Sequence, residues 1–151
     1  MNKKFKTYIV HFELLKERKK NLDEAFKNKD FEYKFITSYD RRNLQTEIIK
    51  KFENIEKKFI ANFMSHIEIY RIISESSDEY GLVLEDDSIP QSKFIKNVYT
   101  YLNKLPKECD LFYISPGKGN FHIPLLKRRP FKKIYKKENK VTSWGGHGAS
   151  R

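Results

Sequence analysis

Leu82, Val83 and Leu84 form an unbroken apolar run within YGLVLEDD, and the run ends on three consecutive acids, Glu85, Asp86 and Asp87. A strand with one wet face alternates apolar and polar residues. A strand without alternation is covered on both faces, as in a parallel sheet between two layers of helices. The patterns on either side agree with that placement. TYIVHF, residues 7–12, has the β-branched and aromatic character of a first strand. LLKERKKNLDEAFKNK then carries Leu15, Leu22, Ala25 and Phe26 on one side at helical spacing. FEYKFITSY alternates Phe31, Tyr33 and Phe35 with polar neighbours, a second strand that DRRN ends. From Thr46 to about Ser74 the period is helical, with Ile60, Phe63, Ile67 and Tyr70 as its apolar stripe.

After the acidic strand, SKFIKNVYTYLNKLP reads as a helix with Ile95, Val98, Leu102 and Leu105 on one face. Ser92 is its expected N-cap and Pro106 its stop. CDLFYISP, residues 109–116, reads as a fourth strand, and KKIYK as a further short one. The alternation predicts an α/β fold, doubly wound around a mostly parallel sheet. Residues 1–151 are expected to form a single domain with a basic, irregular segment at 116–151.

Length and composition narrow the class. At 151 residues the chain suits one domain, and 38% hydrophobic with 15% aromatic residues excludes a disordered polymer despite 34% charge. The single cysteine, Cys109, can form no internal disulfide. No window approaches the roughly 20 apolar residues of a membrane span. The basic start is interrupted by Glu13 and lacks a small-residue cleavage site, so a cytoplasmic location is expected. The net charge of +11 is uneven: residues 118–140 hold nine Lys or Arg against one acid, Glu138. Such a segment is either a solvated loop or an attractor of nucleotides, nucleic acid or an anionic membrane surface.

Ligands of open α/β sheets bind beyond the carboxyl ends of the strands, where the acidic triplet lies. Strand alternation would point Glu85 and Asp87 one way and Asp86 the other. Two like charges about 5 Å apart repel by roughly 3 kcal/mol at an effective dielectric near 20, so a half-buried cluster needs an offsetting cation. Carboxylate oxygens suit Mg²⁺ or Mn²⁺, which in turn suit a diphosphate. The plain alternative is a solvated turn before Pro90.

YIVHF followed by ER, FITSYD, the Ser65-His66 pair on a helix, LVLEDDSIP and DLFYIS, in that order, together resemble glycosyltransferase family 25. That family includes lipooligosaccharide galactosyltransferases and collagen-modifying sugar transferases. The resemblance implies a GT-A type, Rossmann-like fold. It implies a metal-dependent hexosyltransferase that uses a nucleotide-sugar donor, most often a UDP-sugar, and a glycan or protein acceptor. It also implies Mn²⁺ or Mg²⁺ as cofactor, with Glu85 and Asp87 at the metal and Asp87 its direct ligand. Asp86 would fall near the donor's ribose or sugar and Asp40 near the base or ribose. Phe12 and Arg18 would line the same pocket, and Ser65 and His66 would support it from the helix. Lipopolysaccharide biosynthesis is the implied setting.

Each of these residues has a plainer reading on pattern alone: Asp40 as a turn residue, Arg18 as a solvated helix residue, His66 as a hydrogen-bonded core histidine. The chain departs from the family's usual pattern at His11-Phe12, where Asn-Leu is common, and at Arg41, where Gly is common. The family's domain ordinarily continues further, so the chain reads as a short or truncated form with an incomplete C-terminal part. The alternative function is a non-catalytic phosphate- or nucleic-acid-binding domain, or an inactive transferase remnant. HIPLLKRRPFKKIYKK would track phosphates with its cations and stack bases on its aromatics.

Overall fold

In a computed structural model, the structure describes residues 5–27, 29, 32–90, 93–106, 109–112 and 114. The chain divides into two compact units, Met1–Ser92 and Lys93–Arg151. In the first unit the elements are β1 (Phe5–Val10), α1 (Lys16–Phe26), β2 (Tyr33–Ile36), α2 (Thr46–Lys51), α3 (Lys57–Glu75) and β3 (Tyr80–Glu85). The three strands form one sheet in the order β2-β1-β3, and both ladders are parallel. This is the start of a doubly wound sheet: the chain moves from β1 to β2 on one side, then returns past β1 to place β3 on the other. The direction of winding reverses between β1 and β3, the kind of boundary where such sheets bind ligands.

Strand alternation builds two cores. Ile9 on β1 packs with Leu22 and Phe26 of α1, joined by Tyr33, Phe35 and Leu84. On the opposite face, Tyr8 and Ile36 pack with Ile69 of α3, joined by Val10, Val83, Ile72 and Ile73. The unalternating Leu82-Val83-Leu84 run is explained by this arrangement: Val83 meets the α3 side and Leu84 the α1 side. Gly81 lets α3 approach β3 closely. A Cβ placed there would lie 2.3 Å from Ile73 Cδ1 and 2.5 Å from its Cγ1.

Three expectations change. The helical stretch from Thr46 is two helices rather than one, interrupted where Asn54 adopts φ 68°, a left-handed conformation that Asn tolerates better than most residues. The side of α3 that is buried also differs. Of the expected stripe only Ile60 is buried; Phe63, Ile67 and Tyr70 are exposed, and Ala61, Ser65 and Ile69 are the deeply buried positions. Apolar residues occupy more than one side of this helix, so periodicity alone could not choose the side. Ala61 and Ser65 are small, which permits close packing.

The third change lies in the second unit, where α4 (Phe94–Leu102) buries Val98 and Leu102. The expected fourth strand is absent from its described residues, 109–112 and 114. Leu111 is 59% exposed there, and without a neighbouring ladder apolar composition does not make a strand. Tyr101 and Phe112 pack ring to ring instead, with centroids 5.6 Å apart. The Ser92 cap, the KKIYK strand and the basic segment at 118–140 lie outside the described residues.

Candidate active site

The register of the β1–β3 ladder sets the site. Val10 pairs with Glu85, so His11 and Asp86 are the next residues past the paired ends of the two strands. His11 Nδ1 lies 3.0 Å from Asp86 Oδ2, with side chains only 2% and 9% exposed. A carboxylate accepts only, so the imidazole donates through Nδ1–H. The Phe12 backbone N–H donates to the same oxygen at 3.3 Å, and Arg18 NH1 donates to Oδ1 at 2.6 Å. Asp86 is thus committed to three donors from β1's end and α1's first turn. Its bond to Arg18 raises the guanidinium's pKa further and keeps it charged.

Glu85 turns to the other side of the sheet. Its Oε1 accepts from Asn62 Nδ2 at 3.2 Å and from His66 Nε2 at 3.3 Å, both on α3. The His66 bond holds the Glu85 carboxyl below its usual range, against an opposing desolvation effect, with Asn62 assisting. Asp87 does not continue the alternation. Ser88 N–H donates to the Glu85 carbonyl at 2.9 Å, closing a turn that carries Asp87 out of the strand. Its carboxylate is 50% exposed and lies 3.8 Å from Arg18 NH1. Two of the three acids are therefore held by separate partners on opposite sides of the sheet. The third stands open beside a cation.

Asp40 is engaged by its own loop. Its carboxylate accepts the Arg42 backbone N–H at 2.8 Å and takes the Arg42 side chain through Nε and NH2. Arg42 holds the Asp40 carboxyl below the usual range. The guanidiniums of Arg41 and Arg42 both lie over the Phe12 ring, 5.4 and 5.2 Å from its centroid, tying this loop to the end of β1. A cavity of about 210 Å³ opens beside it, lined by Glu13, Thr37, Asp40, Arg42 and Gln45 among others. Ser65 faces the other way: it is 2% exposed and its hydroxyl donates to the Ala61 carbonyl at 2.9 Å. It contributes to packing, whereas His66 reaches the strand end.

The structure therefore brings Phe12, Arg18, Asp86 and Asp87 together, sets Glu85 and His66 beside them on the α3 side, and leaves Ser65 in the core. Two participants were not among the sequence-derived candidates. Asn62 lies four residues before His66, the spacing that places two helical side chains on one face. His11 becomes visible only once the strands are paired, because its partner is 75 residues away.

As a place for a divalent cation the site can be tested on its donors. Among the described residues no group of three His, Cys, Asp or Glu side chains could hold a metal ion. Mg²⁺ usually needs no such cage, being held by one or two carboxylates with waters and substrate phosphates completing its shell. Asp87 fits that requirement.

A parallel α/β sheet with a carboxylate–guanidinium pair at its winding reversal defines the class, a Rossmann-like α/β protein with its ligand edge at the β1–β3 boundary. The chain belongs to a particular family within that class: the model of glycosyltransferase family 25 (LPS biosynthesis protein) matches residues 4–143. No curated protein and no solved structure matches it. Membership implies a glycosyltransferase. Among the described residues no helix is long and apolar enough to cross a membrane.

Proposed function

We propose that the protein transfers a sugar from a nucleotide-sugar, with UDP as the carrier, to a hydroxyl of a glycan or protein acceptor, assisted by Mn²⁺ or Mg²⁺. The observation that carries this reading is the open Asp87 carboxylate beside Arg18 at the β1–β3 boundary, next to an Asp86 already satisfied by His11, Phe12 and Arg18. Asp87 would hold the cation together with the donor's phosphates. Bound there, the cation would supply Lewis-acid stabilisation of charge on the departing diphosphate.

The chain's own residues supply orientation. Asp86 fixes Arg18 through NH1, and among the described residues no ion pair engages NH2 or Nε, so donors remain for a phosphate oxygen. The cavity beside Asp40 and Phe12 would receive the nucleoside part. Family membership supports the transfer, and the arrangement of Asp87 and Arg18 supports the metal and the diphosphate.

Calorimetric titration of UDP tests the reading. Binding should tighten when Mn²⁺ is present and lose that dependence in Asp87→Ala. Equal affinity in all conditions would remove the metal from the account. Binding of a random oligonucleotide that collapses with salt and ignores Mn²⁺ would favour a phosphate-binding function instead.

A further inference from the structure

α3 is apolar on two opposite sides. Ala61, Ser65 and Ile69 are buried, while Phe59, Phe63, Ile67 and Tyr70 are between 42% and 53% exposed. At 100° per residue, positions 59, 62, 63, 66 and 70 fall within an arc of about 100°. Three aromatic side chains thus share one strip with Asn62 and His66. Those two polar side chains converge on a single oxygen, Glu85 Oε1, at 3.2 and 3.3 Å. Among the described residues no hydrogen bond falls on Glu85 Oε2, and the side chain is 48% exposed.

A sizeable exposed apolar strip marks a binding surface, and its charges narrow the ligand. Lys58, whose Nζ lies 4.8 Å from the Phe59 ring centroid, is paired with Glu56 at 2.8 Å. Arg71, next to Tyr70, is held by Glu68 at 2.9 Å and Glu75 at 2.7 Å. The charge presented at the strip's polar end is the Glu85 carboxylate, which repels phosphate. What fits is a neutral molecule with an apolar face for the rings and hydroxyl donors for a carboxylate. A pyranose has both: axial C–H groups on one face and hydroxyls around its edge.

We infer that Phe59, Asn62, Phe63 and His66, with Glu85 at their end, form a binding surface for a pyranose unit of a neutral acceptor glycan. That the glycan is an acceptor rests on the transfer reading above; that the ligand is a carbohydrate rests on the strip itself. Glu85 stands two residues before Asp87 in the chain, so the strip and the proposed donor site meet the same strand end from its two sides.

Saturation-transfer NMR on the full chain tests this, with the methyl glycosides of glucose, galactose and mannose as probes and UDP with Mn²⁺ in a separate sample. At least one glycoside should be saturated through its ring C–H protons. Phe63→Ala and Asn62→Ala should each weaken its binding by about tenfold, and Phe63→Ala should leave UDP binding unchanged. Because Phe63 meets Phe52 with centroids 5.6 Å apart, Phe59→Ser serves as a second aromatic variant should Phe63→Ala lose its fold. Saturation of none of the probes, or saturation that all these variants leave intact, would overturn the inference. So would self-association, or binding to phosphatidylglycerol vesicles, that Phe59→Ser abolishes. A wild-type chain that binds a glycoside but not UDP would count against the donor reading alone.

Discussion

His11 and Asp86, 75 residues apart, join the ends of β1 and β3 through a 3.0 Å hydrogen bond between two side chains that are each less than a tenth exposed. The pair sits where the winding of the sheet reverses, so it fixes the two strand ends whose loops form the site. Asp86 therefore acts as a brace that positions Arg18.

Asp86 is a buried carboxylate that accepts from His11, Phe12 and Arg18, so removing it leaves those donors without their acceptor. Asp86→Ala is expected to lower stability by about 3 kcal/mol, measured as a shift in the denaturant midpoint. A double-mutant cycle with His11→Ala should return a coupling of about 1.5–3 kcal/mol. Additive effects of the two substitutions would mean that the bond does not brace the strands.

Gly81→Ala should cost about 1–3 kcal/mol by overpacking, since the new methyl would meet both Cδ1 and Cγ1 of Ile73. Ile73→Ala in the same chain should recover part of the loss. Thermal melts of the single and double variants check this, and no recovery would place the strain elsewhere.

Thr7 is 1% exposed in the central strand, and its hydroxyl has no hydrogen-bond partner among the described residues. Thr7→Val keeps the shape and removes an unsatisfied polar group. It should therefore leave stability unchanged or raise it by about 1 kcal/mol. A loss of that size instead would reveal a partner for the hydroxyl.

Much of this arrangement could be read from the sequence. The Leu82–Leu84 run demanded cover on both faces, and the α1 and α3 cores supply it. Parallel pairing followed from the βα alternation, whereas the order β2-β1-β3 came only with the structure. The facing of α3 did not, because Phe59, Phe63 and Ile67 look as buriable as Ile60 and Ile69 when only periodicity is available. The sides taken by the acids were half legible. Glu85 and Asp86 diverge as a strand requires, but the turn closed by Ser88 removes Asp87 from that rule. His11 was hidden because its role depends on a ladder register that one segment cannot disclose.

Acid should loosen the contact between β3 and α3. The Glu85 carboxyl is held below its usual range chiefly by His66, so its contribution to stability is complete above the unfolded value near pH 4.5 and is lost as pH falls through the lower folded value. With the group half exposed, the effect should stay under about 1 kcal/mol. Stability of wild type and Glu85→Gln, followed from pH 6 to 3 without added metal, should differ above that window and converge within it. A constant difference across the range would show that the ionised form has no preference for the folded state.

The central claim is that of three adjacent acids Asp87 is the one that holds the cation, and manganese electron paramagnetic resonance tests it most directly. Adding the protein with UDP should deplete the six-line signal of free Mn²⁺ in wild type and in Glu85→Gln, and fail to deplete it in Asp87→Asn. Depletion by Asp87→Asn equal to wild type, or its loss in Glu85→Gln as complete as in Asp87→Asn, would contradict the account.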